Sequence, residues 1–338
     1  MEKPNNILIC RLVAASGKNV AARLAEECGI SRQAASAWLS RLKTEGIIRS
    51  QGVGRGTVYS LVELERSEAK FKREGLSEDR VWRELCYPVV KELPENVRSI
   101  WHHGVTEMVN NAIDHSGSEL VTVIIARNAL YVDCWVCDSG EGIFLKIQKA
   151  LDLYDTREAI LELAKGKFTT DPAKHSGEGI FFSSKMFDNF IIRSRALAFV
   201  HLGSEQSDFD VMVTREDDYP GTRVNMRLDN FSTRTTREVF DKFALPEEFS
   251  FAKTVVPVKL AQHEGETLVS RSQAKRLTRR FERFQTVILD FTEVTEIGQA
   301  FADEVFRVFA NAHPKLKMVP TGMTPAVKSM IKRVQNVT

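Results

Sequence analysis

Long apolar runs are missing from this chain of 338 residues. None approaches the ~20 residues that a membrane span requires, so no transmembrane helix is expected. The first residues, MEKPNNILICRLV, lack the basic start, apolar stretch and small-residue cleavage site of a secretory signal, which predicts a cytoplasmic protein. Cysteine is scarce. The five present (Cys10, Cys28, Cys86, Cys134, Cys137) are odd in number and form no disulfide framework, as suits a reducing compartment. Cys134 and Cys137 do spell CxxC, but LYVDCWVCD reads as a strand. Positions i and i+3 of a strand face opposite ways, so these thiols can share neither a zinc ion nor a bridge and are expected to be inert.

A dominant charge is also lacking, since 47 Lys/Arg stand against 45 Asp/Glu for a net +2. The balance hides a segregation. Residues 1–60 carry nine basic and four acidic side chains, and residues 252–338 carry fourteen and eight, so the middle is strongly acidic. Basic ends on an acidic centre imply different partners for different segments. With 43% hydrophobic and 27% charged residues, the length suits two or three globular domains, each with its own core.

At the N-terminus, residues 6–15 and 20–28 have helical periodicity, Gly29 ends the second helix, and Ser31 is placed to cap a third, SRQAASAWLSRLKTEG. Two β-prone runs follow, IIRSQ and TVYSL, around the glycine-rich turn GVGRG. Residues 1–62 thus resemble a winged helix-turn-helix. That resemblance implies double-stranded DNA as partner, with Ser31, Arg32, Gln33 and Ser36 near base edges. Arg41, Lys43 and the wing Arg55 would then meet phosphates, which position without specifying. Protein interaction is the alternative use of such a module. Residues 63–75, highly charged and helix-prone, read as a helical connector.

In the middle segment, EMVNNAIDHS (107–116) places Glu107, Asn111 and Asp114 at i, i+4 and i+7, on one helical face. Downstream, a strand runs into Asp138-Ser-Gly140-Glu-Gly142-Ile, then KHSGEGIFF opens a helix at Gly177-Glu-Gly179, and Gly221-Thr222 starts a strand. Glycines of this kind let backbone approach a ligand, and a helix N-terminus suits phosphate. Any one of these segments alone is a common turn; the ordered set is specific.

Together, residues 76–232 resemble the GHKL (Bergerat-fold) ATP-binding domain shared by DNA gyrase, MutL, gyrase-class chaperones and histidine kinases. The resemblance implies an α/β sandwich with ATP and Mg²⁺ as cofactors. Asn111 would hold the metal, and Glu107 would orient or deprotonate the attacking water. Asp138 would accept from the adenine amino group, with Thr222 beside it and Gly140 and Gly142 passing along the nucleoside. Gly177 and Gly179 would offer N–H groups to phosphate, and Asp114 points to the hydrolysing branch. No separate helix presents a phosphoacceptor histidine, although His102 and His103 precede the first box and His115 closes it. The resemblance makes residues 144–176 a lid. Within it Lys165, Lys167, Lys174 and Thr169 or Thr170 either meet phosphate or, for the lysines, belong to a solvated helix face.

Residues 250–338 alternate β and α: FAKTVVPVKLA, SRSQAKRLTRRFERF, TVILDFTEV, IGQAFADEVFRVFANA, KLKMVPT and TPAVKSMIKRV. LDFTEVTEIGQAFADEVF resembles the centre of STAS domains, here with Ile297, Gly298 and Gln299 where switch members of that family carry a serine. An interaction or dimerisation role is implied, with a protein partner. The arginine-rich helix 271–284 reads as a solvated face over Leu277, Phe281 and Phe284. The whole is a multidomain chain: winged helix-turn-helix, GHKL α/β sandwich and small STAS-like α/β unit. The expected function is an ATP-dependent, DNA-binding, homodimeric regulator that binds and hydrolyses Mg-ATP. The alternatives are an anti-sigma-type serine/threonine kinase acting on a STAS partner, and a nucleotide sensor that never hydrolyses.

Overall fold

The structure is a computed structural model that describes residues 3–168, 177–203, 208–244, 251–262 and 266–336, with Arg55 and residues 208–217 in backbone only. It is a mixed α/β chain built on several sheets. No helix among the described residues is long and apolar enough to cross a membrane.

Three helices open the chain: α1 (Asn6–Ala15), α2 (Val20–Cys28) and α3 (Arg32–Thr44). The side chain of Asn5 caps α1 through Leu8 N at 2.8 Å, and Ser31 caps α3 through Ala34 N at 3.1 Å. Each side-chain oxygen satisfies an amide that the first helical turn leaves unpaired. Strands β1 (Ile48–Gln51) and β2 (Val58–Leu61) form an antiparallel hairpin around a tight turn at Gly54–Gly56. The apolar stripes of these elements meet in their own core, closed by Leu130 from the central sheet.

That sheet has the order β3-β4-β5-β7-β6, every pair antiparallel. Its strands are β3 (Glu65–Lys72), β4 (Leu120–Arg127), β5 (Tyr131–Asp138), β6 (Asn189–Gly203) and β7 (Asp208–Asp229). Here the helical connector expected at 63–75 is corrected: the segment is the edge strand β3, paired with β4 from Glu65↔Arg127 to Lys72↔Leu120. ERSEAKFK is rich in helix formers, but it also alternates, with Ser67, Ala69 and Phe71 half-buried and Arg66, Glu68, Lys70 and Lys72 exposed. Period two and a waiting edge outweigh local propensity, and the outward charges blunt the edge against further pairing.

Helices cover the sheet: α4 (Glu78–Val81), continued through a π turn at Trp82–Cys86 into α5 (Tyr87–Val90), then α6 (Glu95–His115), α7 (Ile143–Leu151), α8 (Glu158–Lys165), α9 (Gly179–Met186) and α10 (Thr236–Phe243). Val121, Val123 and Ile125 of β4 and Val132, Cys134 and Val136 of β5 are buried at every second position, as one covered face requires. The longest helix, α6, lies close to this face at Gly104. A methyl group there would come within 2.6 Å of the Phe187 ring and 3.2 Å of Met226 Sδ. Cys134 is buried and Cys137 half-buried, and both are free thiols.

The C-terminal unit has β8 (Lys253–Pro257), α11 (Arg271–Thr278), β9 (Thr286–Asp290), α12 (Gln299–Asp303), α13 (Ala310–Ala312), β10 (Lys317–Thr321) and α14 (Pro325–Gln335). Its parallel sheet runs β10-β9-β8. Two expectations are corrected here. The helix expected over 271–284 ends at Thr278, because Arg280 takes a left-handed φ of 66°. Nor does this unit keep a core apart: Val256, Leu277, Phe281 and Leu289 join one apolar cluster with α8, α9 and the central sheet.

His103 of α6 shows what that packing costs. Its ring stands edge-on to Phe240, with centroids 5.6 Å apart, and its Nε2 is buried without a hydrogen bond among the described residues. Burial first, and the charge of His102 second, lower its pKa from 6.5 to about 4. The unfolded chain therefore takes up this proton near pH 6.5 while the folded chain refuses it until about pH 4, so stability falls as pH falls through that window. Between pH 7 and 4.5 this group should remove about 2 kcal/mol, at ~1.4 kcal/mol per pKa unit. Urea titrations of wild type and His103→Phe at both pH values check this: the variant should lose less stability on acidification, and equal losses would refute the assignment.

Candidate functional site

One cavity gathers residues that lie far apart in sequence. Met108, Asn111, Ala112 and His115 reach it from α6, Val136 and Asp138 from the end of β5, and Gly142, Ile143 and Lys146 from the turn into α7. Ser116 at the end of α6, Ile180 of α9 and Thr222 and Val224 of β7 complete the lining. The α6 residues follow the i, i+3, i+4, i+7 rule for one helical face, so their convergence is a consequence of helix geometry.

Asp138 is the most constrained polar group there, only 7% exposed. Its Oδ1 accepts from Gly140 N at 2.9 Å and Thr222 N at 3.2 Å. Both bonds fall on one oxygen, leaving Oδ2 without a hydrogen bond among the described residues. Burial raises the Asp138 pKa, and the two backbone donors oppose that rise. The backbone around it is tied down as well: Tyr219 Oη donates to Asp138 O at 3.2 Å, and Ile143 N donates to Thr222 Oγ1 at 3.0 Å. A buried carboxylate braced by two amides, with one oxygen spare, is built to accept a hydrogen bond from a ligand. Asn111 adds an amide end, Nδ2, that is buried without a hydrogen bond among the described residues. Buried amide groups are nearly always satisfied, so this one calls for a ligand or ordered water.

Glu107 lies one turn before Asn111, and its carboxylate rests against the backbone of Gly179, where any side chain would collide with it. Gly177 has a left-handed φ of 73° and packs on the backbone of Phe168, whose N–H donates to Gly177 O at 3.2 Å. Gly140 does something other than expected. It presses on the Ser116 carbonyl at the end of α6 rather than lining the cavity, because the turn after β5 wraps that helix terminus. Asp114, expected on the ligand face, is exposed in the last turn of α6 and does not line the cavity either.

Sequence reasoning missed Lys146. Its Nζ donates to His115 O at 2.7 Å, so an ammonium group stands at the cavity wall and also caps the C-terminus of α6. The only signal was a lysine one turn into the helix that follows the glycine turn. Of the lysines expected to meet phosphate or solvent, Lys165 is corrected. Lys165 is fully buried, its Nζ bonded to Glu162 Oε1 at 2.7 Å and to the carbonyls of Arg276 (3.1 Å) and Arg279 (3.0 Å). Burial lowers its pKa to about 8, with Glu162 opposing and Arg280 and Arg279 assisting. Lys167 Nζ bonds Arg283 O at 3.1 Å. Lys174, Thr169 and Thr170 lie outside the described residues. Of the arginines expected on a solvated face, Arg271 and Arg283 are exposed, whereas Arg276, Arg279 and Arg280 turn toward Glu158 and Glu162.

In the N-terminal unit, Ser31, Arg32, Gln33, Ser36 and Lys43 are all exposed. Arg41 is engaged within the unit, its guanidinium 3.9 Å over Trp38, bonded to Asn6 Oδ1 at 2.7 Å and 3.4 Å from Glu45. The backbone of Arg55 lies in the turn between β1 and β2.

A family described as a STAS-like domain of unknown function (DUF4325) matches residues 273–328, so the C-terminal unit is STAS-like. No curated protein matches the chain.

Gly142 gives the cavity its sharpest backbone constraint. Its φ is 94°, and a methyl group would sit 3.2 Å from Gly221 O and collide with Ser194 Oγ. Gly142→Ala should therefore cost about 1–3 kcal/mol of stability. A lowered thermal midpoint checks this, and an unchanged one would show that the turn relaxes freely.

Proposed function

We propose that the chain is a GHKL-type ATP-binding protein whose N-terminal winged helix-turn-helix contacts double-stranded DNA, and that it acts as a homodimeric, nucleotide-dependent regulator. One observation carries this reading: Asn111, Asp138, Gly142 and Thr222, separated by up to a third of the chain, line a single cavity. Their chemistry fits the ligand. The spare Oδ2 of Asp138 accepts the adenine amino group, and the two amides on Oδ1 hold that carboxylate in place. Asn111 would hold Mg²⁺ through its side-chain oxygen, and its unmet Nδ2 would donate to a phosphate oxygen or ordered water. A metal held there would neutralise phosphate charge. Glu107 orients the attacking water and takes its proton, a role that needs hydrogen-bond reach to that water. Ile143, Ile180 and Met108 supply the apolar walls that an aromatic base prefers. Lys146 is a cation within reach of the ligand.

In the DNA-binding unit, exposed Arg32, Gln33 and Ser36 read base edges, and Lys43 and Arg55 hold phosphates. Ser31 contributes while capping its helix, and Arg41 must give up its contacts with Asn6 and Glu45 to reach the backbone of DNA. A two-fold symmetric pair of such units suits two half-sites. The STAS-like unit is the surface for a protein partner.

ATP binding and phosphate release test the reading on wild type, Glu107→Ala, Asn111→Ala and Asp138→Asn. Glu107→Ala should bind ATP and lose at least a hundredfold in turnover, at the lower end of what a positioned base contributes. Asn111→Ala should lose the Mg²⁺ dependence of binding, and Asp138→Asn should lose preference for adenine over guanine nucleotides. Wild type that fails to bind ATP overturns the proposal. Wild type that binds ATP and releases no phosphate turns the search to a phosphorylated protein.

For DNA, anisotropy with a labelled duplex should show Lys43→Ala weakening all sequences alike and reducing the salt dependence by about one charge. Gln33→Ala should instead flatten the difference between sequences. If both leave binding unchanged, the third helix does not read DNA.

A further inference from the structure

The contact between α8 and the STAS-like α11 is unlike an ordinary packed interface, because each helix caps the other. Two carbonyls at the C-terminal end of α11, Arg276 O and that of its capping residue Arg279, both accept from Lys165 Nζ of α8. The residues just past α8 are held in turn by Arg280, whose Nη2 donates to Gly166 O at 3.0 Å and to Lys167 O. Helix C-termini carry unpaired carbonyls and a negative partial charge, so a cation from the facing helix satisfies both. Glu162 joins the two caps, accepting from Lys165 at 2.7 Å and from Arg280 Nη1 at 2.9 Å. Glu158 extends the cluster to Arg276 and Arg279, each at 3.5 Å. Glu162, Lys165 and Arg280 are all buried, so this is a specified joint rather than a chance surface pairing.

The joint leads on to the glycine segment that packs against Glu107. Arg280 and Arg283 both donate to Lys167 O, and Phe168 N then bonds Gly177 O. Gly177 leads to Gly179, whose backbone lies against the Glu107 carboxylate. We infer that Arg280 and Lys165 are positioning residues for the nucleotide site: through this reciprocal cap the STAS-like domain sets where the Gly177–Gly179 segment sits against Glu107. The inference rests on the ATP-binding reading above and adds to it the element that regulates the site. A partner that docks on the STAS-like domain and displaces α11 thereby alters turnover, while the adenine pocket of Asp138 and Thr222, on the sheet, is untouched.

The test uses the full chain with Arg280→Met, Lys165→Met, the conservative Arg280→Lys, and Arg271→Ala as a control on the exposed side of α11, where Arg271 lies 4.0 Å from Glu304. Arg280→Met and Lys165→Met should lower kcat at least tenfold with the Kd for ADP within twofold of wild type. Arg280→Lys keeps the charge but not the two-armed geometry and should fall between, while Arg271→Ala should match wild type. A kcat within twofold of wild type in Arg280→Met overturns the inference. If that variant does not fold, Arg280→Lys decides: a threefold or larger loss supports the inference and none overturns it. If wild type binds no ATP, the ATP reading fails first, and hydrogen exchange across residues 177–186 decides the coupling. Faster exchange there in Arg280→Lys than in Arg271→Ala supports the joint, and equal exchange overturns it.

Discussion

The seating of α6 on the central sheet sets the depth of everything built around it. Gly104 removes the one side chain that would hold the helix off Phe187 and Met226, and Trp101 fills the space beside it, edge-on to Phe187 at 4.8 Å. A helix so placed brings one face to the sheet's end, where Asn111 and Asp138 meet across the cavity. If α6 stood off by the width of a methyl group, those two groups would part while each kept its own local structure. Packing density, rather than any one polar bond, therefore holds the candidate site together.

The second constraint is electrostatic. Glu162, Lys165 and Arg280 are withdrawn from water, which is costly for each charge separately. The arrangement is tolerable because every charge meets an opposite one and the cations also satisfy helix carbonyls. Removing one partner of such a cluster leaves a buried charge unmatched, at about 3–5 kcal/mol, whereas an apolar interface would lose less and would also fix orientation less. The merged apolar core under this cluster makes the central and STAS-like units one packed body along α8 and β8.

Much of this was legible in the sequence where short-range rules apply. The caps at Ser31 and Gly29, the hairpin around Gly54 and the β-α alternation after residue 252 follow from spacing and composition, while the segments around Asn111, Asp138, Gly179 and Thr222 were legible through their resemblance to a family pattern. What was missed depends on partners distant in the chain. ERSEAKFK became a strand because β4 offered an edge roughly fifty residues later. Arg280 looked solvated because its acceptors, Gly166 and Glu162, are over a hundred residues away. Gly140 and Asp114 were assigned by their place in a pattern, and only the wrap of the turn over Ser116 for the one and solvent exposure for the other show that they face elsewhere.

Strand β5 joins the candidate site to the three-helix unit. Its first end, with Leu130 and Tyr131, is pressed into the core of the three-helix unit, and its last residue is Asp138. Across eight residues at about 3.3 Å each, these ends stand roughly 25 Å apart. The strand is braced between neighbours on both sides, and Arg227 grips Asp133 with two bonds of 2.8 Å while stacking 4.0 Å over Tyr131. A rod so braced does not bend; it shifts or tilts as a whole. An event felt at Asp138 would thus reach the helical unit as a rigid displacement of its footing, with the hydrogen-bonded ladder acting as the push-rod.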